Sequence, residues 1–285
     1  MKQALVSALR RALRPFGWAV APAPVLDQEL NSTAAVRGAA RALAKGVRSE
    51  LKRHGFVVAD AWLEGAEDEI RFWFGYFATE GIEYGGRGSI EAISRPHRFQ
   101  FEDLFVDLPP KTAISVLDVG AGPMSRVGTV SDALDVTLRA VDPLAPAYDS
   151  ILAFFGLGRP VSTEFGLAEH LLGQFAEGSF DLVHARNALD HAIDPLRCVE
   201  QMARLVRRGG WMVLDHADRE GHRQGFQGLH QWNLSVGGGV LRIEDVSGRA
   251  RVFDHQGLGF TAHFEHYEED GKRCTRAFFQ RSRET

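Results

Sequence analysis

The 285-residue sequence is short of cysteine, of long apolar runs and of repeats, and each shortage removes a class of protein. Its two cysteines, Cys198 and Cys274, fall in a predicted helix and a predicted strand and read as reduced, packed thiols rather than a disulfide framework. No Cys/His grouping has zinc-site spacing. A membrane span needs roughly 18–20 consecutive apolar residues, and none is present. There is no secretory apolar core either, so a cytoplasmic protein is expected. No internal repeat, low-complexity tract or recognised nucleic-acid-binding module is visible. What remains is ordinary for a globular chain. Hydrophobic residues make up 45% and charged residues 25%, enough for one large domain plus an accessory region.

Negative charge is scarce at the N-terminus. Residues 1–54 hold ten Lys/Arg against three acids, whereas the whole chain carries a net charge of −4. Such a patch suits an anionic membrane, nucleic acid or acidic substrate; its plain counterpart is a solvated helical face pairing with the acidic remainder. Met1–Ala21, Arg-rich and free of acids, also has the look of a transit peptide, but the basic pattern resumes in the next helix.

The periodicities predict helices over 1–14, from the Asn31-Ser32-Thr33 cap to about His54, and over Glu67–Tyr76 with aromatics on two sides. A glycine-rich loop, Gly81–Gly88, and a Pro109-Pro110 linker follow. Residues 1–110 are therefore read as an N-terminal helical region, either a lid or substrate-recognition element or a packing cap. From Ala113 strands and helices alternate, the pattern of an open α/β sheet. Strands are expected at Ala113–Val119, Val136–Val141, Val161–Phe165, Phe180–Ala185 and Gly210–His216. Helices are expected near 124–134, 146–157, 167–176 and 195–208. Phe260–Tyr267 and Arg273–Arg281, joined by Asp270-Gly271-Lys272, read as an antiparallel terminal hairpin. Residues 111–285 form the second domain, with an insertion at 217–239.

The chemistry centres on Val116-Leu117-Asp118-Val119-Gly120-Ala121-Gly122-Pro123. An apolar strand runs into glycines that let the backbone turn sharply against a ligand. A dinucleotide would set its pyrophosphate here, at the following helix N-terminus. Asp118 would then place negative charge near those phosphates. S-adenosylmethionine has no phosphate; its sulfonium and ammonium favour a carboxylate. Ser125 also stands where a third glycine of G-x-G-x-x-G would be.

With these stations placed, the chain resembles class I SAM-dependent methyltransferases across about 113–285. The resemblance implies a Rossmann-like α/β fold, parallel strands closed by an antiparallel C-terminal hairpin, with S-adenosyl-L-methionine as cofactor. It implies that Asp118, Gly120, Gly122 and Pro123 line the methionine end and that Asp142, beside Pro143, accepts the ribose hydroxyls. Ala168 and Glu169, in Phe165–Glu169, would meet the adenine edge, and Asn187 marks the strand-four motif Phe180–His191. Leu205–Gly210 resembles the turn before strand five. Met124 and Ser125 depart from the family's glycine pattern and bring larger side chains toward the cofactor. A narrower similarity, through Asn187–His191 and Glu220-Gly221 with Gly228–Asn233, is to a bacterial group often associated with surface-polysaccharide synthesis.

Methyl transfer needs the acceptor held in line with the breaking S–C bond, and a hydroxyl acceptor needs a base. Histidine suits that role near neutral pH. His191 after strand four, His216 at the end of strand five and His230 in the insertion are the candidates. Asp190, Asp215, Asp218 and Glu220 form an acidic rim able to orient a histidine or, with one, hold Mg²⁺; no spacing compels a metal, and none is assigned. Trp232 is read either as a sugar-stacking ring or as local core. The expected activity is O-methylation of a small-molecule or glycan acceptor, anionic or lipid-linked, with homo-oligomerisation left open. A non-catalytic SAM-binding scaffold and an NAD(P)-dependent oxidoreductase are the alternatives.

Overall fold

The computed structural model describes residues 34–78, 90–91 and 94–283. The helix expected over 1–14, the Asn31–Thr33 cap and the Gly81–Gly88 loop lie outside the described residues. Backbone contacts divide the chain into two units, 1–95 with 146–160 and 96–145 with 161–285. The sequence boundary at residue 110 thus falls inside the second unit.

In the first unit, α1 (Ala34–Arg53) buries Val36, Ala40, Ala44, Val47 and Leu51, a stripe at three- and four-residue spacing. Its opposite face exposes Arg37, Arg41, Lys45, Arg48 and Lys52. The helix α2 (Asp60–Ala78) contains the expected aromatic segment. Phe74 packs against Phe154 and Phe155 of α3 (Ala145–Phe155), with ring centroids 5.3 and 5.1 Å apart. That offset geometry gives aromatic pairs their preferred contact.

The second unit is built on a seven-stranded sheet. Its parallel strands are β1 (Thr112–Val119), β2 (Leu134–Asp142), β3 (Thr163–Phe165), β4 (Phe180–Arg186) and β5 (Val206–Ala217). The chain between β5 and β9, an insertion longer than the expected 217–239, supplies a three-stranded sheet of β6 (Asn233–Gly237), β7 (Val240–Glu244) and β8 (Ala250–Val252). The chain returns through the hairpin β9 (Phe260–Glu269) and β10 (Lys272–Arg281). The strand order is β3-β2-β1-β4-β5-β10-β9, and β10 runs antiparallel to both neighbours. This is the Rossmann-like sheet with an antiparallel terminal hairpin that the resemblance implied. The all-parallel dinucleotide order ends differently.

The order reverses between β1 and β4, where Asp118 is the Cα partner of His184. Ligands of open α/β sheets bind beyond the strand ends at such a switch point. On one sheet face α4 (Pro195–Leu205) packs Val199, Met202 and Leu205 into a core with Leu117, Val183 and Leu214. On the other, Phe99, Phe101 and Phe105 cover Ile114, Val116, Leu182 and Val213. That packing places the segment after Arg95 with the sheet.

One expected element is absent. Residues 124–134 form turns and irregular backbone instead of a helix. Gly128 has φ +80°, and a Cβ there would stand 2.0 Å from the Arg98 carbonyl oxygen. The bridge between Arg98 and Val130 holds this segment extended. The helix expected over 167–176 is a short 3₁₀ stretch, Ala168–Gly173. Both cysteines are buried and free, in α4 and β10 as expected. Among the described residues, no helix is long and apolar enough to cross a membrane.

Candidate functional site

The glycine turn is held by its neighbours rather than by a helix. Gly120 and Gly122 take φ values of +67° and +64°, which side chains strongly disfavour. The Gly120 and Ala121 amides both donate to the Val141 carbonyl of β2. The Gly122 amide donates to Asp142 Oδ2 at 3.0 Å, and Thr163 Oγ1 donates to the Gly122 carbonyl at 2.9 Å. Asp142 Oδ1 accepts from the Leu144 amide at 2.8 Å, closing the turn that contains Pro143. The two carboxylate oxygens of Asp142 thus brace both the glycine loop and the turn after β2. Pro123 and Met124, which follow the turn, are buried.

Asp118 lies deeper than the sequence implied. It is 4% exposed, and its two oxygens take Ser125 Oγ at 2.6 Å and His184 Nδ1 at 2.7 Å. Ser125, the residue that breaks the glycine pattern, is turned toward this carboxylate and also accepts from the Val127 amide. A buried carboxylate needs such partners, because water no longer solvates it. His184 was given no role by sequence reasoning. The visible signal was a histidine inside the apolar run of β4, in register with Asp118.

Glu169 is likewise engaged. Its Oε1 accepts from the Ile193 and Asp194 amides at 2.8 and 3.1 Å, fixing the approach to α4. Ala168 is half-buried beside it. Asn187, at φ +45°, spans two strand ends: its amide donates to Asp215 O, and its Oδ1 accepts from the Ala217 amide. Ala188 then lies over the glycine turn, so that a Cβ on Gly120 would meet Ala188 Cβ at 2.3 Å. Two glycines in the left-handed region and a bracing carboxylate at the end of β2 are the residue types that fit a cofactor lying against the loop backbone.

Beyond Ala188, the insertion brings His230 to Asp190 and His191. His230 Nδ1 lies 2.6 Å from Asp190 Oδ2 and 3.0 Å from His191 Nε2. The rings meet edge-on, 4.4 Å apart. Burial would raise the Asp190 carboxyl, but His191 and His230 outweigh it and hold the group at about 2. Independent bonds fix this meeting: the Gln231 amide donates to Asp190 O at 3.0 Å, and Trp232 Nε1 to Ala192 O at 2.9 Å. Trp232 is half-buried with the Arg251 guanidinium over its ring, a contact within the insertion.

His216 differs from the other two expected proton carriers. It is 5% exposed, neither ring nitrogen has a hydrogen-bond partner, and burial pushes it down to about 4. His216 thus stands apart from the meeting of His191 with His230, as a buried imidazole whose neutral form is favoured. The expected acidic rim also separates. Asp215 accepts from Tyr267 and Arg276, Asp218 from Thr275, and Glu220 pairs with Lys272. Within this rim only Asp190 orients a histidine.

Residues 117–214 match a family model described as a methyltransferase domain. With that match, S-adenosyl-L-methionine is the cofactor of this segment. The chain is 30% identical over 130 residues to a ubiquinone biosynthesis O-methyltransferase of Thiobacillus denitrificans, covering 44% of this chain and 52% of that protein. It thus spans about half the length of this curated relative. A SAM-dependent methyltransferase from Methanosarcina mazei aligns over 67% of this chain and 100% of its own, at 14% identity and TM-score 0.41. A provisionally assigned sarcosine dimethylglycine methyltransferase from Galdieria sulphuraria aligns over 76% and 100%, at 12% identity and TM-score 0.47.

Proposed function

We propose that this protein is a SAM-dependent methyltransferase that methylates a hydroxyl of a small-molecule or glycan acceptor, the Asp190–His191–His230 cluster receiving the acceptor's proton. The observation that carries this reading is the meeting of His230 with Asp190, two residues past the Ala188 that covers Gly120. Transfer to a hydroxyl needs positioning of the oxygen in line with the sulfonium methyl and removal of its proton. Asp190 stays ionised and balances positive charge arising on the imidazoles. The family match supports methyl transfer, and the name of the Thiobacillus denitrificans relative supports oxygen as the atom methylated.

Asp142, braced against Gly122, would accept the ribose hydroxyls, while the loop amides and Asn187 shape the remaining pocket. The basic composition of residues 1–54 supports an anionic or lipid-linked acceptor; within the first unit Arg41 and Arg48 pair with Glu67 and Asp60. The polysaccharide association rests on sequence resemblance alone. Against a dinucleotide stands the irregular backbone after the glycines, since pyrophosphate is favoured by a helix N-terminus.

The test is calorimetric titration with S-adenosylmethionine, followed by incubation with methyl-labelled cofactor and hydroxyl acceptors. Asp142→Ala should weaken cofactor binding at least about tenfold, the loss expected when a charged acceptor is removed. Unchanged affinity would reject the ribose assignment. Cofactor binding without transfer to any acceptor would favour a scaffold subunit instead.

A further inference from the structure

We propose that Asp190, His191 and His230 form a binding site for one divalent transition-metal ion, of the zinc or cobalt type, beside the cofactor loop. The three ligand atoms are Asp190 Oδ2, His191 Nε2 and His230 Nδ1. They are separated by 2.6 Å, 3.0 Å and 3.6 Å. Donors about 2.0–2.1 Å from a common ion stand roughly 2.9–3.4 Å apart in octahedral or tetrahedral geometry. The observed separations bracket that range.

Proton counting points the same way. A ring nitrogen offers one in-plane position, either an N–H or a lone pair. His230 Nδ1 faces two partners through that single position, so a proton serves them unequally, whereas a cation on the open side is reached by all three donors. Charge adds a second reason. Asp190 is 3% exposed, and among the described residues its ion-pair partners are His191 and His230 alone. A divalent cation would sit against this buried carboxylate as a fixed counter-charge.

The site is held from outside. Bonds from Gln231 and Trp232 fix the insertion against residues 190–192 without using any of the three ligand atoms. Its carboxylate side chain is 4% exposed, against 19% and 29% for His191 and His230, so the imidazole side is the open one. Two nitrogens and one oxygen suit borderline transition metals, whereas Mg²⁺ and Ca²⁺ prefer oxygen donors.

The ion's role rests on the proposed methyl transfer; its binding does not. With the ion bound, the three side chains would hold it in place of taking the proton themselves, and the ion would polarise the acceptor O–H. The proton would leave to water, the methyl would pass from sulfonium to oxygen, and the neutral thioether would depart.

The experiment titrates the full chain, freed of metal by chelator, with Zn²⁺ and Co²⁺ by calorimetry, and follows the Co²⁺ absorption bands. One ion per chain is expected. Asp190→Asn and His230→Ala should each weaken binding at least about tenfold, as loss of a metal-site group typically does. His263→Ala, on the exposed face of β9, should leave binding unchanged. If Asp190→Asn fails to fold, His191→Gln and His230→Gln carry the same comparison. Absence of stoichiometric binding, or equal binding by folded ligand variants, overturns the proposal. A parallel titration with S-adenosylmethionine separates the two readings. Cofactor binding without metal binding removes the ion and leaves the imidazoles as proton acceptors. Metal binding without cofactor binding keeps the site and removes the methyltransferase.

Discussion

Gly120 shows how a single residue sets the chemistry next to it. Its positive φ turns the chain off β1, and its bare Cα lets Ala188 sit over the turn. Gly120→Ala should therefore meet both a conformational cost of about 1–2 kcal/mol and a Cβ clash. Thermal melting and cofactor titration should both show the loss. Adding Ala188→Gly removes the clash and leaves the backbone cost, so the double variant should recover only part. Full recovery would deny that φ matters here. At this scale the sequence disclosed the glycines, Asp142 and the three histidines by type and spacing. It did not disclose which partner each side chain faces. Asp118 was legible as a carboxylate before a turn, but its bonds to Ser125 and His184 depend on β4 lying beside β1.

Among the elements, α4 and the insertion are joined through one side chain. Asp194 accepts from the Arg197 amide at the helix start, with Pro195 at the first helical position. It also receives both terminal nitrogens of Arg251, which reaches it from β8. The cap and the pair together hold the Asp194 carboxyl below its ordinary range, against the opposing effect of burial. Asp194→Ala should lower stability by about 1–2 kcal/mol, mostly through the lost cap. The half-exposed pair adds little. Arg251→Ala should cost less, and equal melting shifts for the two would contradict this division. Strand and helix periodicities were readable along 113–285 because burial repeats at two and 3.6 residues. The missing helix after Pro123 was not, since the Arg98–Val130 bridge that displaces it joins residues far apart in sequence.

For the molecule as a whole, the buried His216 makes stability depend on pH. Unfolded, this histidine takes up a proton near its ordinary 6.5; folded, it does so only at about 4. As pH falls through that interval the unfolded state binds more protons, so stability declines with falling pH and levels off below about 4. The shift corresponds to about 3 kcal/mol across the interval. Chemical denaturation at several pH values should show the slope, and His216→Leu should flatten it. Parallel slopes for the two chains would exclude His216 as its source.

The sequence by itself determined the parallel sheet, the glycine turn with its carboxylates and the antiparallel closing hairpin. These follow from local periodicity and from residues adjacent in the chain. Tertiary structure alone decided that Asp118 is braced by His184, that His216 is sealed, and that His230 meets Asp190 across 40 positions of sequence. Such meetings are set by strand order and by the fold of the insertion, and neither is encoded in the spacing of neighbouring residues.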